Sequence, residues 1–137
     1  MTNEDLTRAL NHLFPEGGVV IHADGTFEVP GTIPTEDERQ QALIESVKQD
    51  IAKGIREEVA RRILSCASTA TQMNLAAAAA GGMLSEDQMT AYRAGLAWIA
   101  QIRATGASLV AKNNPDFADD AKWPTIPASA AELAAQF

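Results

Sequence analysis

The residues able to do acid–base or metal chemistry are few and scattered in this sequence. The only histidines are His12 and His22, and neither has a cysteine or a second histidine at ligand spacing. A metal site needs convergent ligands, and a general base needs a group that orients it. We therefore interpret both as surface or edge-strand histidines, and we expect no metal, no cofactor and no catalytic residue.

Two other groups of polar residues fit structural roles better than chemistry. Asp116, Asp119 and Asp120 lack the alternating oxygen ligands and the glycine of a calcium loop. The hydroxyls between Ser65 and Thr71 have no base nearby in sequence and no strand-to-helix elbow that would present a nucleophile. Helix capping and backbone hydrogen bonding explain both groups, so an enzyme is the least supported class of function.

Composition narrows the classes of partner. The chain has 137 residues, 46% of them hydrophobic, which suits a domain with a modest core. Its net charge of -7 argues against a nucleic-acid partner, because binding phosphates requires clustered lysine and arginine. Cys66 is the only cysteine, so no intramolecular disulfide can form. We expect no small-molecule substrate.

Neither a signal peptide nor a membrane span is predicted. Residues 1–14 lack a basic start and a continuous apolar core, so we expect the protein to stay in the cytoplasm where it is made. The segment from Ile63 to Ser85 has the length of a membrane span. Its many serine, threonine and glycine residues lower its hydropathy too far, so we expect no membrane partner.

The pattern of apolar residues predicts a mainly α fold, in which residues 1–33 form a small module. Thr2 caps a first helix that ends before Pro15. The β-branched run at 19–21, the turn signal Asp24-Gly25 and a return strand at 26–29 predict a β-hairpin with a two-residue turn.

Residues 35–112 are predicted to form a helical hairpin or bundle. Thr35 and Glu38 form a capping box before a long helix, on which Glu57–Arg61 and Glu58–Arg62 are predicted ion pairs of a solvated face. A break follows at 65–71, then a helix over about 72–80. A further helix begins at the capping box of Ser85 with Gln88.

Residues 113–137 are predicted to form an extended arm, because prolines at 115, 124 and 127 prevent a continuous helix. Phe117, Trp123 and Ile126 are its apolar anchors, and Ser129 with Glu132 predicts the cap of a short terminal helix. Composition leaves open whether the arm packs on its own helices or on a neighbouring subunit.

The segment from Ile63 to Ser85 contains no charged residue, yet it is built of small and polar residues rather than bulky apolar ones. We interpret it as a packing surface, either between helices of one chain or between subunits. Gln72 and Asn74 either fix the register between helices or face water. The residues expected at an interface are Gln72, Asn74, Ala77, Ala78, Trp98, Phe117, Trp123 and Ile126.

Several packing motifs carry a family resemblance. Arg61-Arg62-Ile63-Leu64, Thr71-Gln72-Met73-Asn74-Leu75, Gly82-Met83-Leu84-Ser85, Tyr92, Trp98-Ile99 and Ile102-Arg103 form one such set. This set is similar to a helical segment of small tail proteins of tailed bacteriophages, which pair it with a short β N-terminus and a Trp-Pro element. The resemblance covers residues 61–127 and implies a structural role in a tail, baseplate or fibre attachment, with no enzymatic residues.

The predicted function is therefore that of a structural virion component of a phage tail. It would be made in the cytoplasm of the host bacterium, form a homo-oligomer and bind other tail or baseplate proteins. The alternative is an assembly chaperone or adaptor that binds a tail or tail-fibre client transiently. Hairpin edges and an anchored arm suit either role, because both can pair with another chain.

Overall fold

A computed structural model describes all residues from Met1 to Phe137. The fold is mainly α, as predicted, with five helices and a two-stranded antiparallel hairpin near the N-terminus. The elements in chain order are α1 (Asn3–Leu13), β1 (Val20–Ile21), β2 (Phe27–Glu28), α2 (Glu36–Cys66), α3 (Thr69–Ala80), α4 (Glu86–Ala111), a 3₁₀ turn (Asp120–Lys122) and α5 (Ala128–Ala134).

The chain forms two compact units, Met1–Ile51 and Ala52–Phe137. The division falls inside α2, so this helix contributes residues to both units. The predicted separation into residues 1–33, 35–112 and 113–137 stays a prediction about domains. None of the five helices reaches the length and hydropathy that a bilayer-spanning helix needs.

In the first unit, α1 buries Leu6, Ala9 and Leu10. The predicted cap is confirmed, because the Thr2 hydroxyl accepts from the backbone N–H of Asp5 at 3.1 Å and the Asp5 carboxylate accepts in return from the Thr2 backbone. This reciprocal pair satisfies two backbone donors that a helix start leaves free.

The hairpin forms as predicted, but its connection is longer than the predicted two residues. Ile21 pairs with Phe27, and the backbone N–H of His22 donates to the carbonyl of Thr26 at 2.9 Å. The loop therefore contains three residues, 23–25. Gly25 adopts φ 86°, the left-handed conformation that a three-residue hairpin loop requires at its last position.

In the second unit, the predicted break after α2 is confirmed, and α3 begins earlier than predicted because Ser68 caps it. The Ser68 hydroxyl accepts from the backbone N–H of Thr71 at 3.1 Å. Ser85 caps α4 through the predicted box with Gln88. Gly82, at φ 67°, turns the chain between α3 and α4.

After α4 the chain turns at Asn113 and packs against its own helices. α5 contacts both α3 and α4. The predicted cap of α5 at Ser129 is wrong, since the helix begins at Ala128 with Pro127 at its N-cap position and no side-chain cap. Proline suits this place because its fixed φ is already close to the helical value and a helix start leaves backbone N–H groups unpaired.

Candidate protein-interaction site

Within the second unit, two buried tryptophans stabilise the segment that follows α4. Trp123 is 6% exposed, and its indole N–H donates to the carbonyl of Phe117 at 2.8 Å. Trp98 on α4 is 5% exposed and donates to the carbonyl of Pro124 at 2.9 Å. Each ring therefore buries apolar area while its single polar group is satisfied, which is the arrangement that stabilises a buried tryptophan.

Arg62 joins α2 to the same segment. Its guanidinium lies 4.9 Å from the centroid of the Trp123 ring, and Nη2 donates to Asp120 Oδ1 at 2.6 Å. Arg62 Nε is 2.7 Å from Glu58 Oε1 but makes no well-aligned hydrogen bond, so this contact is mainly ionic. The planar Arg62 guanidinium is thus held by the carboxylates of Glu58 and Asp120 and by the face of the Trp123 ring.

The ion pairs on α2 differ from the predicted solvated face. The predicted pair of Glu58 with Arg62 is confirmed, but Arg61 pairs with Glu58 rather than with the predicted Glu57. The side chains of Glu58 and Arg62 are only 12% and 13% exposed, so this pair is not part of a solvated face. The reason is the C-terminal segment, which covers this part of α2 through its contacts with Arg62.

Glu58 makes stability dependent on pH. Hydrogen bonding by Arg61, together with the positive charges of Arg61 and Arg62, lowers the pKa of Glu58 below its ordinary value of 4.5. A lowered folded-state pKa stabilises the fold above the unfolded-state value, and this contribution is lost as pH falls through the folded-state pKa. We expect the melting temperature to fall below pH 4.5 and Glu58→Gln to reduce that fall. Equal pH dependence in both proteins would contradict this assignment.

An apolar cleft of about 250 Å³ lies in the second unit. Its walls come from the end of α2, from α3 and α4, and from the C-terminal segment with α5. No lining residue is charged. The lining residues are Ile63, Cys66, Ala67, Gln72, Leu75, Ala76, Ala91, Tyr92, Gly95, Leu96, Trp98, Ile99, Ile126, Ala130, Leu133 and Ala134.

A second apolar surface follows one side of α3. Ala70, Met73, Ala77 and Ala80 repeat at steps of three and four residues, so they share one side of the helix, and all are exposed. We call these four residues, with Met83 just beyond the helix, the α3 face. Met73 is 67% exposed and Met83 is 80% exposed. Within one chain the charge-free segment is therefore buried only in part, through Ile63, Leu75 and Ala78.

The structure distributes the predicted interface residues over three places. Gln72, Trp98 and Ile126 line the apolar cleft. Trp123 is buried and Phe117 is half-buried, with the Phe117 ring against Gly54 of α2. On α3 itself, Ala78 lies on the buried side of the helix, whereas Asn74 and Ala77 are exposed. The Gln72 side chain donates to the carbonyl of Ala67 at 2.8 Å, so it closes the break before α3.

Most residues of these two surfaces were not predicted from the sequence to lie at an interface. The most prominent of them are Met73 and Met83 on the α3 face and Tyr92 and Leu133 in the cleft. Met73 could have been found from its step of four to Ala77 within a charge-free helix. The cleft had no such signal, because it forms between elements that are distant in sequence.

Both histidines belong to the first unit. His22 Nε2 is 3.3 Å from Glu28 Oε1 on the hairpin, and His12 is half-buried at the end of α1. No group of three histidine, cysteine, aspartate or glutamate side chains that could hold a metal ion is present. Comparison of the chain with protein-family models, with curated proteins and with solved structures finds no match.

Proposed function

We propose that this protein is a structural assembly component that self-associates through the α3 face. The observation that carries the proposal is the exposure of Met73 and Met83, at 67% and 80%, in a segment without a single charged residue. Large exposed apolar side chains at both ends of an uncharged surface are typical of surfaces that another protein covers. Ala77 and Ala80 between them permit a second backbone to approach closely.

The absence of charge on the α3 face is compatible with a second copy as the partner. With a net charge of -7, two copies of the chain repel each other as a whole. The α3 face carries no charge, so two copies that meet there bring no like charges into direct contact. An isologous contact of this kind generates a closed dimer, which can be the unit of a larger assembly.

The resemblance of residues 61–127 to small tail proteins connects this proposal with a bacteriophage. In that setting the protein is a virion component of the tail, baseplate or fibre attachment, and its other partners are tail or baseplate proteins. The second candidate is a transient assembly chaperone or adaptor. The two exposed methionines favour it, because their flexible side chains adapt to different partner surfaces.

Two measurements test the proposal. Light scattering across a wide dilution series is expected to show a stable oligomer, whereas a monomer at all concentrations would contradict self-association. Purified phage particles from the source host are expected to contain the protein at fixed stoichiometry. Its absence from particles, with co-purification of a tail or fibre protein from lysate, would favour the chaperone.

A charge introduced on the α3 face is expected to disrupt the oligomer. Met73→Glu places a carboxylate where two copies meet. Association would bury this charge and bring it close to the same charge of the other copy, and both effects oppose association. The matched control is Ile33→Glu, which makes the same change in charge at a residue of the first unit that is also 67% exposed. We expect the Met73 variant to scatter light as a monomer and the Ile33 variant to remain oligomeric. Equal behaviour of the two variants would exclude the α3 face.

A further inference from the structure

The apolar cleft retains unfilled space after the C-terminal segment has taken its place. Ile126, Ala130 and Leu133 of that segment already form one wall, yet about 250 Å³ remains. A cavity of roughly 150 Å³ with apolar walls is large enough to bind benzene. The space here therefore suits a substituted benzene ring or a hydrocarbon chain of similar bulk.

The polar groups of the lining restrict the chemistry of a ligand. The Trp98 indole N–H donates to Pro124, and the Gln72 amide N–H donates to Ala67, so both donors are already used. Tyr92 and Gln72 are among the lining residues, and neither the Tyr92 hydroxyl nor the Gln72 side-chain carbonyl has a hydrogen-bond partner within the chain. These two groups are neutral and can exchange one or two hydrogen bonds with a ligand.

Charge excludes a further class of ligands. No aspartate, glutamate, lysine, arginine or histidine lines the cleft, and the chain as a whole is strongly acidic. A carboxylate or ammonium group would lose its hydration without gaining an ionic partner. The lining is thus complementary to an uncharged molecule.

We propose that this cleft is a binding site for a small uncharged molecule with a hydrocarbon body and one hydroxyl group, of the size of an alkylphenol. The hydrocarbon body contacts the apolar lining, which includes Leu75, Leu96 and Leu133, and the hydroxyl bonds to Tyr92 or Gln72. This site goes beyond the proposed assembly function, since the α3 face and the cleft use different residues.

The test uses para-propylphenol as the probe and para-propylbenzoate as its charged counterpart. Cys66 lines the cleft and is the only cysteine, so its rate of modification by Ellman's reagent reports on this site alone. At about ten times its dissociation constant, the phenol is expected to slow modification about tenfold, because only the free protein reacts. It is also expected to raise the melting temperature by about 5–10 °C at about a hundred times that constant. The benzoate is expected to do neither.

Two variants locate the binding. Ala76→Leu adds bulk at the cleft wall and is expected to abolish both effects of the phenol. Ala100→Leu makes the same change at an exposed position of α4 outside the cleft and is expected to retain them. The proposal is overturned if the phenol leaves the wild-type protein unaffected, if the benzoate acts equally well, or if Ala76→Leu responds like the wild type.

Discussion

Replacing Trp123 with alanine is expected to lower the free energy of unfolding by about 3–5 kcal/mol, as for other large buried aromatic residues. The side chain is 6% exposed, lies under the Arg62 guanidinium and donates to the Phe117 carbonyl. The substitution therefore opens a cavity, removes a cation–π contact and leaves a carbonyl unpaired. Urea unfolding followed by circular dichroism measures the change.

Trp123→Phe is the matched control, because it keeps an aromatic ring and removes the indole N–H. We expect it to cost about 1–3 kcal/mol, from the lost hydrogen bond and the smaller ring. A loss below 1 kcal/mol in the alanine variant would contradict the packing of the C-terminal segment on its own chain. A loss that grows on dilution would indicate instead that this segment is exchanged between subunits.

The parts of the fold that the sequence predicts are those that depend on neighbouring residues. Thr2 with Asp5 and Ser85 with Gln88 act within one helical turn, so their spacing alone identifies the helix starts. The break before α3 was also predictable, because a run of small hydroxylated residues is a poor helix former.

The parts that could not be predicted depend on contacts between distant residues. The packing of residues 113–137 on their own helices rests on Trp98 with Pro124 and on Arg62 with Asp120, pairs separated by 26 and 58 positions. The burial of Glu58 and Arg62 follows from the same packing. The spacing of these two residues is equally compatible with a solvated face, so no local pattern distinguishes the two outcomes.

For the α3 segment, a clear local pattern exists but does not predict the exposure of the residues. Its lack of charge predicts burial, and one chain leaves Met73 and Met83 exposed. The cleft likewise takes its walls from four elements, so neither its volume nor its lining can be inferred from one of them. The α3 face and the cleft both result from how the helices pack, and composition alone does not predict which of their residues are exposed.

Adding one methyl group at Gly106 is expected to destabilise the protein, although alanine is the better helix former. Gly106 lies on the buried side of α4, and a Cβ atom there would be 2.5 Å from Val59 Cγ2 of α2. Valine has one strongly preferred rotamer in a helix, so the methyl group cannot turn away cheaply. Overpacking of this kind costs about 1–3 kcal/mol.

Gly95→Ala is the matched control, since Gly95 lies on the same helix and a Cβ there would be 3.5 Å from Ala130 Cβ, an ordinary contact. Both substitutions gain up to about 1 kcal/mol of helix propensity, so this gain cancels in their comparison. We expect Gly106→Ala to unfold at lower urea concentration than Gly95→Ala, with a difference in unfolding free energy of about 1–3 kcal/mol. Val59→Ala in the Gly106→Ala background should recover part of that difference, because it removes the clashing methyl group. Equal stabilities of the two alanine variants would contradict the close approach of α2 and α4.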